Sequence, residues 1–168
     1  MVKIKNQIVL LLILASSALV FGQNQEALIY NPNADAFAQI AEAAKKAKAE
    51  NKHILVQVGG NWCSWCIRLH KFYSEDTQLD SALKANYVPV LLNYSKENKN
   101  EAILATFGFP QRFGFPVLLI LDSNGNRIHT QSSVYLEEGK GYNKDKLLGF
   151  FRDWSPAALN PDNYQKKK

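Results

Sequence analysis

Gly60-Asn61-Trp62-Cys63-Ser64-Trp65-Cys66 places the chain's only two cysteines three residues apart, just after the apolar stretch Ile54-Leu55-Val56-Gln57-Val58. His53 to Val58 reads as a short buried strand. Trp62, Cys66, Leu69 and Tyr73 recur at helical spacing, so a strand runs into a helix whose first turn carries both thiols. Cys63 then falls at a helix N-terminus. Unpaired backbone N–H groups and the positive end of the macrodipole favour a thiolate there, and in Cys-x-x-Cys motifs they bring a thiol pKa from about 8.5 to roughly 3.5–7.5. Cys66 falls on the inward stripe with Leu69, where burial keeps a thiol protonated. This division points to dithiol redox chemistry, with Cys63 as nucleophile and Cys66 as the thiol that resolves a mixed disulfide.

Two other readings of the pair stay open. A closed zinc site needs four ligands, and beyond the cysteines the chain offers three histidines, His53, His70 and His129. His70 follows Cys66 by one helical turn, so a copper or zinc site from Cys63, Cys66 and His70 is a competing arrangement. A purely structural disulfide gains little, because loop entropy grows with loop length and this loop is very short.

With 168 residues, 46% hydrophobic and 21% charged, the chain has the composition of one ordinary globular domain. Its start, Met1-Val2-Lys3-Ile4-Lys5, is basic. Ile8 to Phe21 is an almost unbroken apolar run, shorter than the roughly 20 residues of a membrane span. The pattern predicts a secretory signal peptide over residues 1–22 with cleavage after Gly22, an uncleaved membrane anchor being the alternative. No cysteine follows to accept a lipid. Loss of residues 1–22 removes two of the 20 basic residues and none of the 15 acidic ones, so the formal net charge falls from +5 to +3. The basic residues are scattered apart from Lys45-Lys46-Lys48 on a helix and the terminal Lys166-Lys167-Lys168. A solvated face and a solvated tail account for both, and nucleic-acid binding is without support. In an oxidising compartment, periplasm or extracellular space, a cysteine pair persists as a disulfide, and a protein acting there as a reductant needs a redox partner.

The remaining elements follow from periodicity and punctuation. Residues 23–34 read as an extended lead-in to a domain over 35–155. Asn33 or Asp35 caps a first helix with Phe37, Ile40, Ala41, Ala44 and Ala47 on its apolar stripe. Thr77 caps a short helix through Asn86, and Tyr87 to Tyr94 forms a second strand with Pro89 near its beginning. Asn98 to Phe107 is a third helical segment, stopped by Gly108 and Pro110. The wholly apolar run Val117-Leu118-Leu119-Ile120-Leu121 predicts a strand covered on both faces. Asn124-Gly125 is a hairpin signal that returns Arg127 to Ser133 antiparallel to it. After a Gly-rich loop through Tyr142, Asn143 caps a last helix with Leu147, Phe150, Phe151 and Trp154 inward, and residues 156–168 form a polar, mobile tail. There is no internal repeat and no linker.

The order of these elements, with Trp62-Cys63-Ser64-Trp65-Cys66 after the first strand and Gly114-Phe115-Pro116-Val117 opening the hairpin, resembles a secreted thioredoxin-family protein over about residues 35 to 154. The resemblance implies a thioredoxin-like three-layer α/β/α fold with a mixed central sheet and a C-terminal β-hairpin plus helix. It implies that Pro116 is a cis-proline facing the cysteines, an ordinary trans proline on an edge strand being the alternative. It also implies that the backbone at Phe115 pairs with an extended substrate segment. Trp62 and Trp65 then flank the nucleophile as an apolar rim suited to flexible protein segments, unless they simply fill the core. The implied activity is that of a thiol:disulfide oxidoreductase working through a redox-active Cys63–Cys66 disulfide, as a monomer and without metal or organic cofactor. Its partners are protein or peptide thiols and disulfides. The Trp-Cys-x-x-Cys site resembles reducing domains, so the direction expected is that of a reductase fed by a membrane electron donor. Oxidase and isomerase activities, and a peptide-binding module with little turnover, are the rival readings.

Three departures accompany the resemblance. Gln57 falls where many thioredoxins carry a buried acid that helps deprotonate the second cysteine, and an amide does not titrate. The resolving step is then slow, or relies on water, or uses Glu75 or Asp76. The family's proline later in the cysteine helix is missing between Ile67 and Tyr73. The intervening pair Ser64-Trp65 also differs from that of typical thioredoxins.

Overall fold

A computed structural model of the protein describes residues 28–165. The signal-peptide expectation for residues 1–22 lies outside the described residues.

Four strands form the central sheet: β1 (His53–Gly59), β2 (Tyr87–Asn93), β3 (Val117–Leu121) and β4 (Arg127–Ser132), in the order β2-β1-β3-β4. β1 runs parallel to β2 and antiparallel to β3, and β3 runs antiparallel to β4, so the sheet is mixed. β1 and β3 are buried nearly throughout, as their continuous apolar runs require. Pro89 is exposed on the outer strand β2, where its missing N–H costs no ladder bond. In the β3–β4 turn, Gly125 takes a positive φ of 85° and the Asp122 carboxylate accepts from the N–H groups of Asn124 and Asn126.

Helices cover both faces. α1 (Ala36–Glu50) and α4 (Glu101–Thr106) enclose one core with Ile54, Val56 and Val58 of β1. On the other face α2 (Ser64–Glu75), α3 (Thr77–Asn86) and α5 (Lys144–Asp153) enclose a second core with Leu55, Leu118 and Ile120. The strand period of two sends Val56 and Gln57 to opposite faces, and this places Gln57 under α2.

Several local expectations are corrected. Of the predicted stripe of α1, Ile40 and Ala47 are buried and Ala44 packs against the core, but Phe37 and Ala41 face solvent and Ala36 and Ala43 are buried in their place. Asp35 supplies its cap. Asp76 rather than Thr77 caps α3, its carboxylate accepting from the N–H groups of Gln78 and Leu79. The helix predicted from Asn98 starts only at Glu101, because Asn93, Ser95, Asn98 and Asn100 bind one another and the backbone of their own turn. Ser133 leaves β4 for a 3₁₀ turn, and the Gly-rich loop contains a small hairpin, β5 (Glu137–Glu138) with β6 (Gly141–Tyr142). Within the segment read as a polar tail, Pro156–Leu159 forms a helical turn, α6, capped by Ser155, and Pro161–Tyr164 forms a 3₁₀ turn.

Candidate active site

Cys63 is the N-cap of α2. Its backbone is extended, its carbonyl starts the helix, and its sulfur accepts from the N–H of Cys66 at 3.1 Å. Trp62 therefore sits in the turn before the helix and not on its apolar stripe. The two cysteines form a disulfide with Cα atoms 5.2 Å apart. Cys63 is 5% exposed and Cys66 is fully buried, so solvent reaches the bond from the Cys63 side.

An aromatic rim surrounds that side. Trp62, 58% exposed, donates its indole N–H to the carbonyl of Tyr94 at 2.7 Å and meets Phe115 edge to face at 5.4 Å. Phe115 lies against Tyr94 at 4.7 Å, and with Trp65 it packs on the disulfide cluster. The Phe115–Pro116 peptide is cis, and Pro116 is buried. The loop leading to it exposes Phe109 and Phe113. Trp65 is half-buried: it meets Tyr142 edge to face at 5.5 Å and carries the Arg68 guanidinium over its ring. A groove of about 540 Å³ runs off Trp62, lined by Pro32, Asn61, Tyr94, Ser95 and Lys96.

Beneath the disulfide the site reaches outside the predicted domain. Tyr30, from the lead-in, is 1% exposed and clusters with Cys63 and Cys66. Asn61 holds it by the backbone, accepting from its N–H at 3.0 Å and donating to its carbonyl at 2.7 Å. The Gln57 amide donates to the Tyr30 hydroxyl at 2.5 Å and to the carbonyl of Cys66 at 3.0 Å, while its own oxygen is buried with no partner among the described residues. Burial raises the Tyr30 phenol far above its ordinary range, so it stays protonated. Neither Tyr30 nor Asn61 is marked by periodicity or motif. The one available signal is that a tyrosine in a polar lead-in needs somewhere to bury its ring.

Glu75 and Asp76 do not reach this region. They lie at the far end of α2, roughly 13–15 Å along its axis from Cys66. Glu75 pairs with Lys71, and Asp76 caps α3 and bonds Lys144 at 2.7 Å. The competing metal arrangement is not assembled either. His70 stacks edge to face on Tyr73 at 5.3 Å, and among the described residues no group of three or more His, Cys, Asp or Glu side chains converges.

Comparison with known proteins agrees with this architecture. The structure is similar to a disulphide isomerase from Xylella fastidiosa Temecula1 at 23% identity and a TM-score of 0.66, over 75% of this chain and 95% of that one. It is also similar to the oxidised C-terminal domain of DsbD from Neisseria meningitidis, at 18% identity and a TM-score of 0.54, over 72% and 97%. A thioredoxin from Thermus thermophilus matches at 13% identity with a TM-score of 0.51, over 76% and 94%. At these identities the likeness is one of fold. No match was found among curated proteins. The model of the thioredoxin-like domain matches residues 40–138, more than half of the chain, and the protein belongs to that family.

Proposed function

We propose that the protein is an exported thiol:disulfide oxidoreductase that reduces disulfides in proteins or peptides. The observation that carries this reading is the Cys63–Cys66 disulfide, with Cys63 as the cap of α2 and as its solvent-facing member. In the reduced protein the Cys63 thiolate attacks a substrate disulfide. A Cys63–substrate S–S bond forms, the substrate S–S bond breaks, and the departing sulfur takes a proton from water. Cys66 then attacks the Cys63 sulfur, the intramolecular disulfide closes, and the second substrate sulfur leaves carrying the proton that Cys66 gives up. Two electrons and two protons have passed to the substrate. A dithiol donor, supplied by a membrane protein, restores the pair.

Trp62 and Phe115 offer an apolar edge to an extended segment, and the chain entering Pro116 supplies the backbone for strand-like pairing. Export rests on the basic and apolar pattern of residues 1–22. Among the described residues no helix is long and apolar enough to cross a membrane. Buried Gln57, which cannot take a proton, favours a second reading, a peptide-binding module with little turnover.

Single-turnover reduction of a protein disulfide separates the two. Catalysis predicts that Cys66→Ser accumulates a covalent complex released by dithiothreitol and that Cys63→Ser forms none. Equal binding of reduced and oxidised peptides by the parent and by Cys63→Ser, with no covalent complex in either serine variant, would support the module.

A further inference from the structure

The hydroxyl of Tyr30 and the sulfur of Cys66 border the same point in space, because a Cβ placed on Gly59 would stand 2.8 Å from the one and 2.5 Å from the other. Gln57 occupies an acceptor position of that hydroxyl with its amide and ties the same amide to the Cys66 carbonyl. The hydroxyl's own proton is thereby left to point elsewhere, since a phenol carries one donor and Gln57 already donates to it. In the disulfide neither sulfur bears charge. When the bond opens, Cys66 becomes a buried thiol that must ionise to act.

We propose that Tyr30 is a positioning residue for the redox pair: oriented by Gln57, its O–H donates to the Cys66 sulfur once the disulfide opens and holds the thiolate there. The proposal rests on the oxidoreductase reading above. Hydrogen bonding to a charged form favours that form, and the bond is strongest to an ionised acceptor. Tyr30 gives up no proton in the cycle. The proton of Cys66 leaves with the substrate sulfur, so atoms and charge balance without a buried base.

The other titratable side chains whose charge bears on this cluster are Tyr142 of β6 and Tyr73 of α2, and burial raises both phenols as it raises Tyr30. Arg68 and Glu137 act on Tyr142 rather than on Tyr30. None of these phenols titrates near neutral pH, so the pH dependence of the resolving step is that of Cys66 itself.

Stopped-flow mixing of the reduced protein with 5,5′-dithiobis(2-nitrobenzoate) tests this. The first thionitrobenzoate released reports attack by Cys63 and the second reports resolution by Cys66. Tyr30→Phe keeps the ring and removes the O–H. We expect its second phase to move about one pH unit alkaline. Its rate near pH 7 then falls about three- to fourfold, because a thiol of higher pKa is less ionised but more nucleophilic. The first phase stays unchanged. At a pH above both pKa values, where the reduced form carries the thiolate, losing this contact also lowers the equilibrium constant for reduction about tenfold, a shift of about 30 mV to more negative potential. If Tyr30→Phe does not fold, Gln57→Met, which removes the orienting amide at similar volume, is expected to shift both readouts in the same direction. A pH profile and a potential that coincide with those of the parent would overturn the proposal. Absence of a second phase in the parent would instead overturn the oxidoreductase reading itself.

Discussion

The indole of Trp62 stands edge-on to the ring of Phe115 with centroids 5.4 Å apart, joining the turn that precedes the cysteine helix to the loop that enters the cis-proline. The contact spans two segments far apart in sequence, and it lies on the solvent side of the disulfide. An aromatic pair of this geometry contributes about 0.5–1.5 kcal/mol beyond the area it buries.

A substrate that lies along this rim gains from both rings, whereas a small disulfide does not. Trp62→Ala and Phe115→Ala should each lower kcat/KM for a protein disulfide about tenfold, equivalent to about 1.4 kcal/mol, while changing the rate with a small aromatic disulfide by less than about twofold. Equal losses on both substrates would show that the rings support the cysteines and not the substrate.

The sheet, the order of elements and the cysteine turn were legible because each has a local signal. β1 and β3 are continuous apolar runs, Asn124-Gly125 marks the hairpin, and Cys-x-x-Cys follows a strand. Part of what was not legible depends on partners far away in sequence. Tyr30 sits in an aperiodic stretch, and its partners Gln57 and Asn61 lie 27 and 31 positions on. The stripe of α1 was legible at Ile40 and Ala47 but not at Phe37 and Ala41, because alanines dominate it and alanine marks a buried face weakly. The cap of α3 moved from Thr77 to Asp76 because both residue types can cap, and the choice depends on where Lys144 comes to lie. The late start of α4 reflects competition by asparagine side chains for the backbone.

Gly59 is closely enclosed. A Cβ there would stand 2.5 Å from the Cys66 sulfur and 2.8 Å from the Tyr30 hydroxyl, inside the contact distance of either atom. Gly59→Ala should destabilise the oxidised protein by about 1–3 kcal/mol, the usual cost of overfilling a packed site. Chemical denaturation of the oxidised form checks this. A change under about 0.5 kcal/mol would mean that Tyr30 moves aside freely and that the cluster is not rigid.

Acid should weaken the fold in two stages. Burial lowers the pKa of His70 and of His129, which stacks on Trp154 at 3.9 Å. The unfolded chain then binds more protons than the folded one below the ordinary histidine value of about 6.5. The stability is fully present above that value and declines as pH falls through it. A second loss comes below about 4. Asp76 is held under its usual range first by the Lys144 hydrogen bond and then by backbone N–H groups, so its contribution disappears as it protonates. Thermal unfolding between pH 7.5 and 5 should show the first decline, and His129→Phe, which keeps the stacking, should flatten it. An unchanged slope in that variant would remove His129 from the account.

The most direct test of the central claim is the equilibrium reduction potential of the Cys63–Cys66 pair in defined thiol buffers, read by mass after alkylation. The account predicts a reversible two-electron couple near about −270 mV, the thioredoxin value, as a reductase requires. A value near about −120 mV would reverse the proposed direction, since that couple donates its disulfide, and the absence of any reversible couple would contradict the redox reading altogether.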